Sequence, residues 1–274
     1  VNEWIGWRWA FVIAGLPGLI LGLIVRFTVR EPLRGQSDPG ALVKRAPPFP
    51  VVIRTMVKKP VVLHFVLGSA LASFVGYAVV LWIPVYFVRI HEVGTGMTGT
   101  WLALLIGGGG ALGTFLGGYF ADRLSIRYGP SWRSWIVAIA IVAALPFSLV
   151  TYFSDSAFRG FIAFVVPAIL GGVFIGPTFA MVQSQMPIEM RSVAASLNLF
   201  VGNIIGLGLG PYAVGAISDV LQPTYGGNSL RYALSALAIV SIWSALHFFL
   251  GGRKIRDEAS LITTGTLTKP PTIE

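Results

Sequence analysis

Cysteine is absent from the 274 residues, which excludes a disulfide framework and any thiolate metal site. Charge is scarce too. Asp, Glu, Lys and Arg make up 11% of the chain, where a soluble domain carries about 25%. The three histidines are scattered, and no Asp, Glu and His cluster has metal-ligand spacing. No nucleophile–base pair or carboxylate pair lies together in a plausible cleft. No catalytic residue, metal or cofactor is therefore assigned, and an enzyme is not expected. The chain opens at Val1, and Asn2-Glu3-Trp4 is not the basic leader of a signal peptide, so the N-terminus reads as a truncation.

What is present is apolar. Hydrophobic residues make up 55% of the chain and the mean hydropathy is +0.77. A membrane span needs about 20 apolar residues as helix. Seven runs qualify, roughly Trp9–Phe27, Val61–Val88, Met97–Phe120, Trp135–Phe153, Phe161–Gln183, Val193–Ile217 and Tyr232–Leu250. They lack the alternation of a barrel strand. The expected fold class is an all-α, multi-pass membrane protein of about seven transmembrane helices, with the lipid bilayer as its first partner.

The net charge of +9 does not point to nucleic acid. The basic residues sit in short loops between apolar runs, which is the pattern that orients a membrane protein. With the first run entering from outside, the inner side holds Arg26, Arg30, Arg34, Lys44, Arg45, Arg54, Lys58, Lys59, Arg123, Arg127, Arg133, Arg191, Arg253, Lys254, Arg256 and Lys269. The outer side holds Arg8, Arg89, Arg159 and Arg231. The expected C-terminal tail is cytoplasmic, and the expected membrane is the plasma (inner) membrane. Between the first and second runs, Arg30–Pro60 is long, basic and proline-rich and reads as a cytoplasmic linker. Within it Val51–Lys59 is expected to form a short interfacial helix.

In lipid, helices approach closely through small residues. Gly109, Gly113 and Gly117 repeat every four residues in the third run, and Gly202, Gly206 and Gly210 do so in the sixth. Each stripe is expected to be a packing face. The match of Gly108–Gly113 to GxGxxG is dismissed, since no strand precedes it. Proline kinks a helix by removing a backbone donor, and Gly176-Pro177 and Gly210-Pro211 are the expected hinges.

A family resemblance enters at residues 117–129, GGYFADRLSIRYG. Gly118, Asp122, Arg123 and Arg127 match motif A of the major facilitator superfamily, a tight cytoplasmic turn. Asp122 could accept from free amides at a helix N-terminus and the arginines could pair with acids or helix C-termini, which would latch the inner side. Gly6-Trp7-Arg8-Trp9-Ala10-Phe11, Gly15-Leu16-Pro17-Gly18 and Arg30-Glu31-Pro32-Leu33-Arg34-Gly35 resemble the sixth helix and following loop of the spinster-like branch. Leu81-Trp82-Ile83-Pro84 with Arg89, Pro187–Arg191 and Gly206–Pro211 resemble its later helices. The resemblance implies a twelve-helix transporter working by alternating access, of which five helices would precede Val1. Residues 1–30 would be the last helix of an N-terminal bundle, a missing partner of this chain. Residues 31–60 would be the interbundle linker, 61–252 the C-terminal six-helix bundle and 253–274 the cytoplasmic tail.

Within the spans no Asp, Glu, Lys or Arg lies at mid-depth. His64 and His247 lie near the inner ends of their runs, and either could relay a proton. Neutral polar groups remain. Ser69, Ser73 and Tyr77 fall on one stripe at i, i+4, i+8, and Asn198 and Asn203 lie in the sixth run. The first and fifth helices of such a bundle line the path in this superfamily, so Ser73, Tyr77, Trp82, Asn198 and Asn203 are the candidate cavity residues, with bonding between helices as the alternative for each. The expected function is secondary active transport of small or amphipathic, even lipid-like, organic molecules. An organic-anion symporter of another branch is the alternative, and a seven-helix receptor a remoter one.

Overall fold

The computed structural model describes residues 6–30 and 47–263. Residues 1–5, residues 31–46 of the expected linker, and residues 264–274 with Lys269 lie outside the described residues. Among those described there is no strand. A helix satisfies every backbone donor and acceptor internally, the one open-chain solution in lipid.

The structure divides into two compact units. The first contains α1 (Trp7–Thr28), an apolar helix with Pro17 in its interior. Phe11, Leu19 and Phe27 are exposed along it, as suits a helix solvated by lipid.

The second unit starts with α2 (Phe49–Lys58), which opens on a proline that needs no hydrogen-bond acceptor there. Val52 and Met56, one turn apart, are buried in a cluster with Val62, Phe65, Val182 and Phe248. Lys59 Nζ donates to the Gln185 carbonyl at 2.6 Å. The segment expected to lie on the membrane surface is thus tied into the bundle by its apolar face.

Helix α3 (Pro60–His91) is followed by α4 (Thr95–Tyr128), α5 (Trp132–Tyr152) and α6 (Ala157–Ser184). Among the described residues, six continuous helical stretches are long and apolar enough to cross a membrane. The last of these, Ile188–Glu258, contains two arms. They are α7 (191–225) and α8 (Ser229–Thr263), separated by a turn at Gly226, whose φ of 55° and ψ of −131° suit glycine. Ser218 and Ser229 join the arms through their hydroxyls at 3.0 Å. The seven runs therefore correspond to α1 and α3–α8.

Three helices depart from regular geometry. α4 passes through a π-helical segment at Ala103–Gly109 and α7 through another at Ile204–Leu209. α6 breaks into turns at residues 171–174. The irregular segments of α6 and α7 lie just upstream of Gly176-Pro177 and Gly210-Pro211, the expected hinges. Pro177 cannot donate to the Val173 carbonyl, nor Pro211 to that of Leu207, and each irregular segment contains the carbonyl left without its donor.

Two buried clusters close the bundle's ends. One gathers Val61, Phe65, Met181, Ala245 and Phe248. The other gathers Ile83, Tyr86, Phe87, Phe161, Leu230 and Leu234. Large apolar side chains such as Phe115, Phe158 and Ile239 are exposed on the outside. The protein is an integral, multi-pass membrane protein, and exposed apolar side chains of this kind suit a lipid environment.

Candidate functional site

Between the two clusters lies a cavity of about 480 Å³ lined by all six long helices of the bundle. That volume is in the range of sites for drug-sized ligands, about 300–1,000 Å³. The wall is mostly apolar, with Ile141, Leu145, Phe164, Phe174, Leu234 and Leu237 among its residues. No charged side chain lines it among the described residues.

The polar groups in the wall are neutral and mostly paired. Ser69 Oγ on α3 donates to Asn198 Oδ1 on α7 at 2.8 Å, and both residues are buried. Tyr77 on α3 donates to Asn203 Oδ1 at 2.9 Å, while Asn203 Nδ2 donates to the Leu199 carbonyl at 2.8 Å. Tyr77 and Asn203 form the more exposed pair. Ser73 and Gly202 also lie in the wall. Trp82 does not: its indole N–H donates to the Pro211 carbonyl at 2.8 Å, where it braces α3 against α7 just after the π segment.

The structure adds Thr178, which no pattern in the sequence singled out. Its residue is 1% exposed, it lines the cavity, and its hydroxyl has no hydrogen-bond partner among the described residues. A buried hydroxyl without a partner costs roughly 1–3 kcal/mol, which a polar ligand group or a water would relieve.

The glycine stripes set the helix spacings around this cavity. A Cβ on Gly113 would overlap the Ile169 carbonyl, and one on Gly117 would lie 2.5 Å from that of Val173. Gly109 is looser, 3.4 Å from Ala168. These contacts bring α4 onto the broken part of α6. On α7, a Cβ on Gly206 would lie 2.8 Å from Ser73, one on Gly210 would overlap the Phe74 carbonyl, and Gly202 meets Ser73 Oγ at 3.3 Å.

The motif around Asp122 differs from its expected geometry. Residues 117–128 are helical, and the turn comes afterwards at Gly129, whose φ is 104°. Asp122 is therefore inside α4 and does not bind free amides. Its Oδ1 accepts from Arg133 at the start of α5, at 3.3 Å from Nε and 3.2 Å from Nη2. Arg127 lies over the Tyr128 ring at 5.3 Å, and neither it nor Arg123 makes an ion pair among the described residues. Gly118 has open space around it. With the Asp122 side chain 67% exposed, the pair contributes less than about 1 kcal/mol.

The Major Facilitator Superfamily profile matches residues 1–211. The chain belongs to that superfamily. Within it, the chain is similar to the spinster branch. It is 28% identical over 255 residues to an MFS-type efflux pump of Mycolicibacterium smegmatis, covering 93% of this chain and 58% of the pump. It is 24% identical to a sphingosine-1-phosphate transporter of Danio rerio, covering 97% of this chain and 57% of that protein. The crystal structure of a bacterial homolog of the human lysosomal transporter spinster, inward-facing and unoccupied, superposes with a TM-score of 0.73 at 25% identity. That match covers 92% of this chain and 60% of the other. This superfamily member thus spans somewhat more than half the length of the relatives it matches.

Proposed function

We propose that this superfamily member forms the cavity-bearing half of a transporter that moves amphipathic organic molecules across a membrane by alternating access. The observation that carries the reading is the cavity. Its apolar wall suits a hydrocarbon chain, and its neutral hydrogen-bonding groups suit a polar but uncharged part of the same molecule. Efflux and sphingosine-1-phosphate transport in the relatives support this substrate class, and the inward-facing relative supports alternating access. A wall without lysine or arginine weighs against anion recognition within this half, and family membership sets aside the receptor reading.

The reading includes a second bundle that completes the substrate path and any ion coupling, with α1 as its last helix. The C-terminal end faces the cytoplasm of the plasma membrane, as the distribution of basic residues favours, and Asp122–Arg133 is part of an inner latch. The test is reconstitution of the protein encoded by the complete reading frame into proteoliposomes. Fluorescent lysolipid is expected to cross in a protein-dependent way, with sugars and small carboxylates excluded. Transport of sugars or small carboxylates without lysolipid would overturn the proposal.

A further inference from the structure

His64 on α3 and His247 on α8 are 183 positions apart in the chain, and their Nδ1 atoms are 3.0 Å apart in the structure. The ring centroids are 5.2 Å apart, close to the greatest separation that this contact allows, so the two nitrogens face each other nearly head-on. That is the geometry of a hydrogen bond, with one nitrogen donating and the other accepting. Two lone pairs converging on a metal ion would bring the centroids closer together.

The two helices approach closely at this point. A Cβ on Gly68 would lie 3.1 Å from the Phe248 ring and 3.3 Å from His247 Cβ, and one on Gly251 would lie 2.5 Å from Phe65. Ser244 donates to the Gly68 carbonyl at 2.7 Å, and Ser134 on α5 donates to the Phe248 carbonyl. Both rings are half-buried. The Trp243 ring packs against His247 at 6.2 Å. The charged group that bears on His64, besides its partner ring, is Lys254 on His247's own helix. No acid bears on either ring among the described residues, so a proton there is held by the two nitrogens alone.

From this clamp we infer that His64 and His247 form a single-proton binding site. With no added proton, one ring carries its hydrogen on Nδ1 and donates it to the other. One added proton, delivered by hydronium and returned to water on release, leaves both Nε2 atoms protonated and a single hydrogen shared between the Nδ1 atoms. On uptake an O–H bond of hydronium breaks as an N–H bond forms, and release to water reverses both. A second proton would set two N–H groups against each other at 3.0 Å, where the Ser244–Gly68 hydrogen bond joins the same two helices. The ligand is the proton, taken up and released by the pair as a unit, which joins the first and last long helices of the bundle. The inference does not depend on the substrate.

The test is nitrogen-15 NMR of the histidine-labelled chain in lipid nanodiscs across a pH titration. The two Nδ1 signals are expected to be coupled across the hydrogen bond and to move together in one step of one proton. His91, whose ring bonds Tyr86 at 3.0 Å, serves as the internal control and moves separately. In His64→Phe the coupling vanishes and His247 titrates alone. His247→Phe provides the mirror experiment should the first variant fail to fold. Two independent one-proton steps in the unsubstituted protein, or absence of coupling between the Nδ1 signals, would overturn the inference.

Discussion

Gly113→Val is expected to abolish recovery of folded protein. The added side chain would occupy the position of the Ile169 carbonyl, and backbone cannot swing aside as a flexible side chain does. Overpacking that side chains can absorb already costs about 1–3 kcal/mol. Here α4 would have to leave α6 along the whole stripe, because Gly117 meets the next exposed carbonyl, that of Val173. Without a hydrophobic drive between helices in lipid, a contact opened this way has little to restore it. Size-exclusion chromatography of detergent-solubilised protein should show loss of the monodisperse peak. Gly118→Ala is the matched control: nothing lies within 4 Å of its Cβ position, and the peak should be unchanged. An unchanged profile for Gly113→Val would show that the α4–α6 contact is not as close as described.

The second large effect is expected from filling the cavity. Ala144 lines it, whereas its neighbour Ala143 does not and is exposed on the outer face of α5. Ala144→Trp should weaken binding of a single-chain amphiphile about tenfold or more, and Ala143→Trp should leave it unchanged. Burial is worth about 25 cal/mol per Å² of apolar surface and tenfold in affinity is about 1.4 kcal/mol. Loss of roughly 60 Å² of wall is therefore enough, and an indole displaces more than that. Microscale thermophoresis with a fluorescent lysolipid would measure the ratio. Equal affinities for the two variants would place the amphiphile elsewhere.

Much of the fold was legible because lipid imposes one-dimensional rules. A span must be long and apolar, so the seven runs could be read directly from composition along the chain. Glycines at a spacing of four likewise point to a close face. They do not say which helix meets that face, and only the structure brings Gly113 to Ile169 and Gly206 to Ser73. The places where α6 and α7 lose regular geometry were legible from their prolines to within a few residues. A missing donor disturbs the carbonyl one turn upstream, and the π segment in α7 and the break in α6 lie there.

The cavity was legible only as a set of residue types. Ser69 finds Asn198 at a separation of 129 positions and Tyr77 finds Asn203 at 126. Nothing local in the chain encodes those pairings. Trp82 shows the converse: an indole on the same helix reads as a wall residue in sequence, yet its N–H is taken by the Pro211 carbonyl. Thr178 was missed because a lone threonine in an apolar run carries no periodic signal. Its proximity to Pro177 was the one available hint, since a broken helix leaves polar groups that need partners. Asp122 was misplaced locally because the turn was set at 117–129, whereas Gly129 places it at the end of that stretch.

The central claim is that the cavity within the α3–α8 bundle holds an amphipathic molecule. The most direct measurement is photolabelling of the protein in nanodiscs with a single-chain lysolipid carrying a diazirine on its hydrocarbon tail, with the adducts mapped by mass spectrometry. The account predicts saturable adducts on the inner wall, at residues such as Ser148, Phe164 and Ser241, that are lost when unlabelled lysolipid is added. Adducts confined to lipid-facing side chains such as Phe115 and Ile239, insensitive to competition, would contradict it.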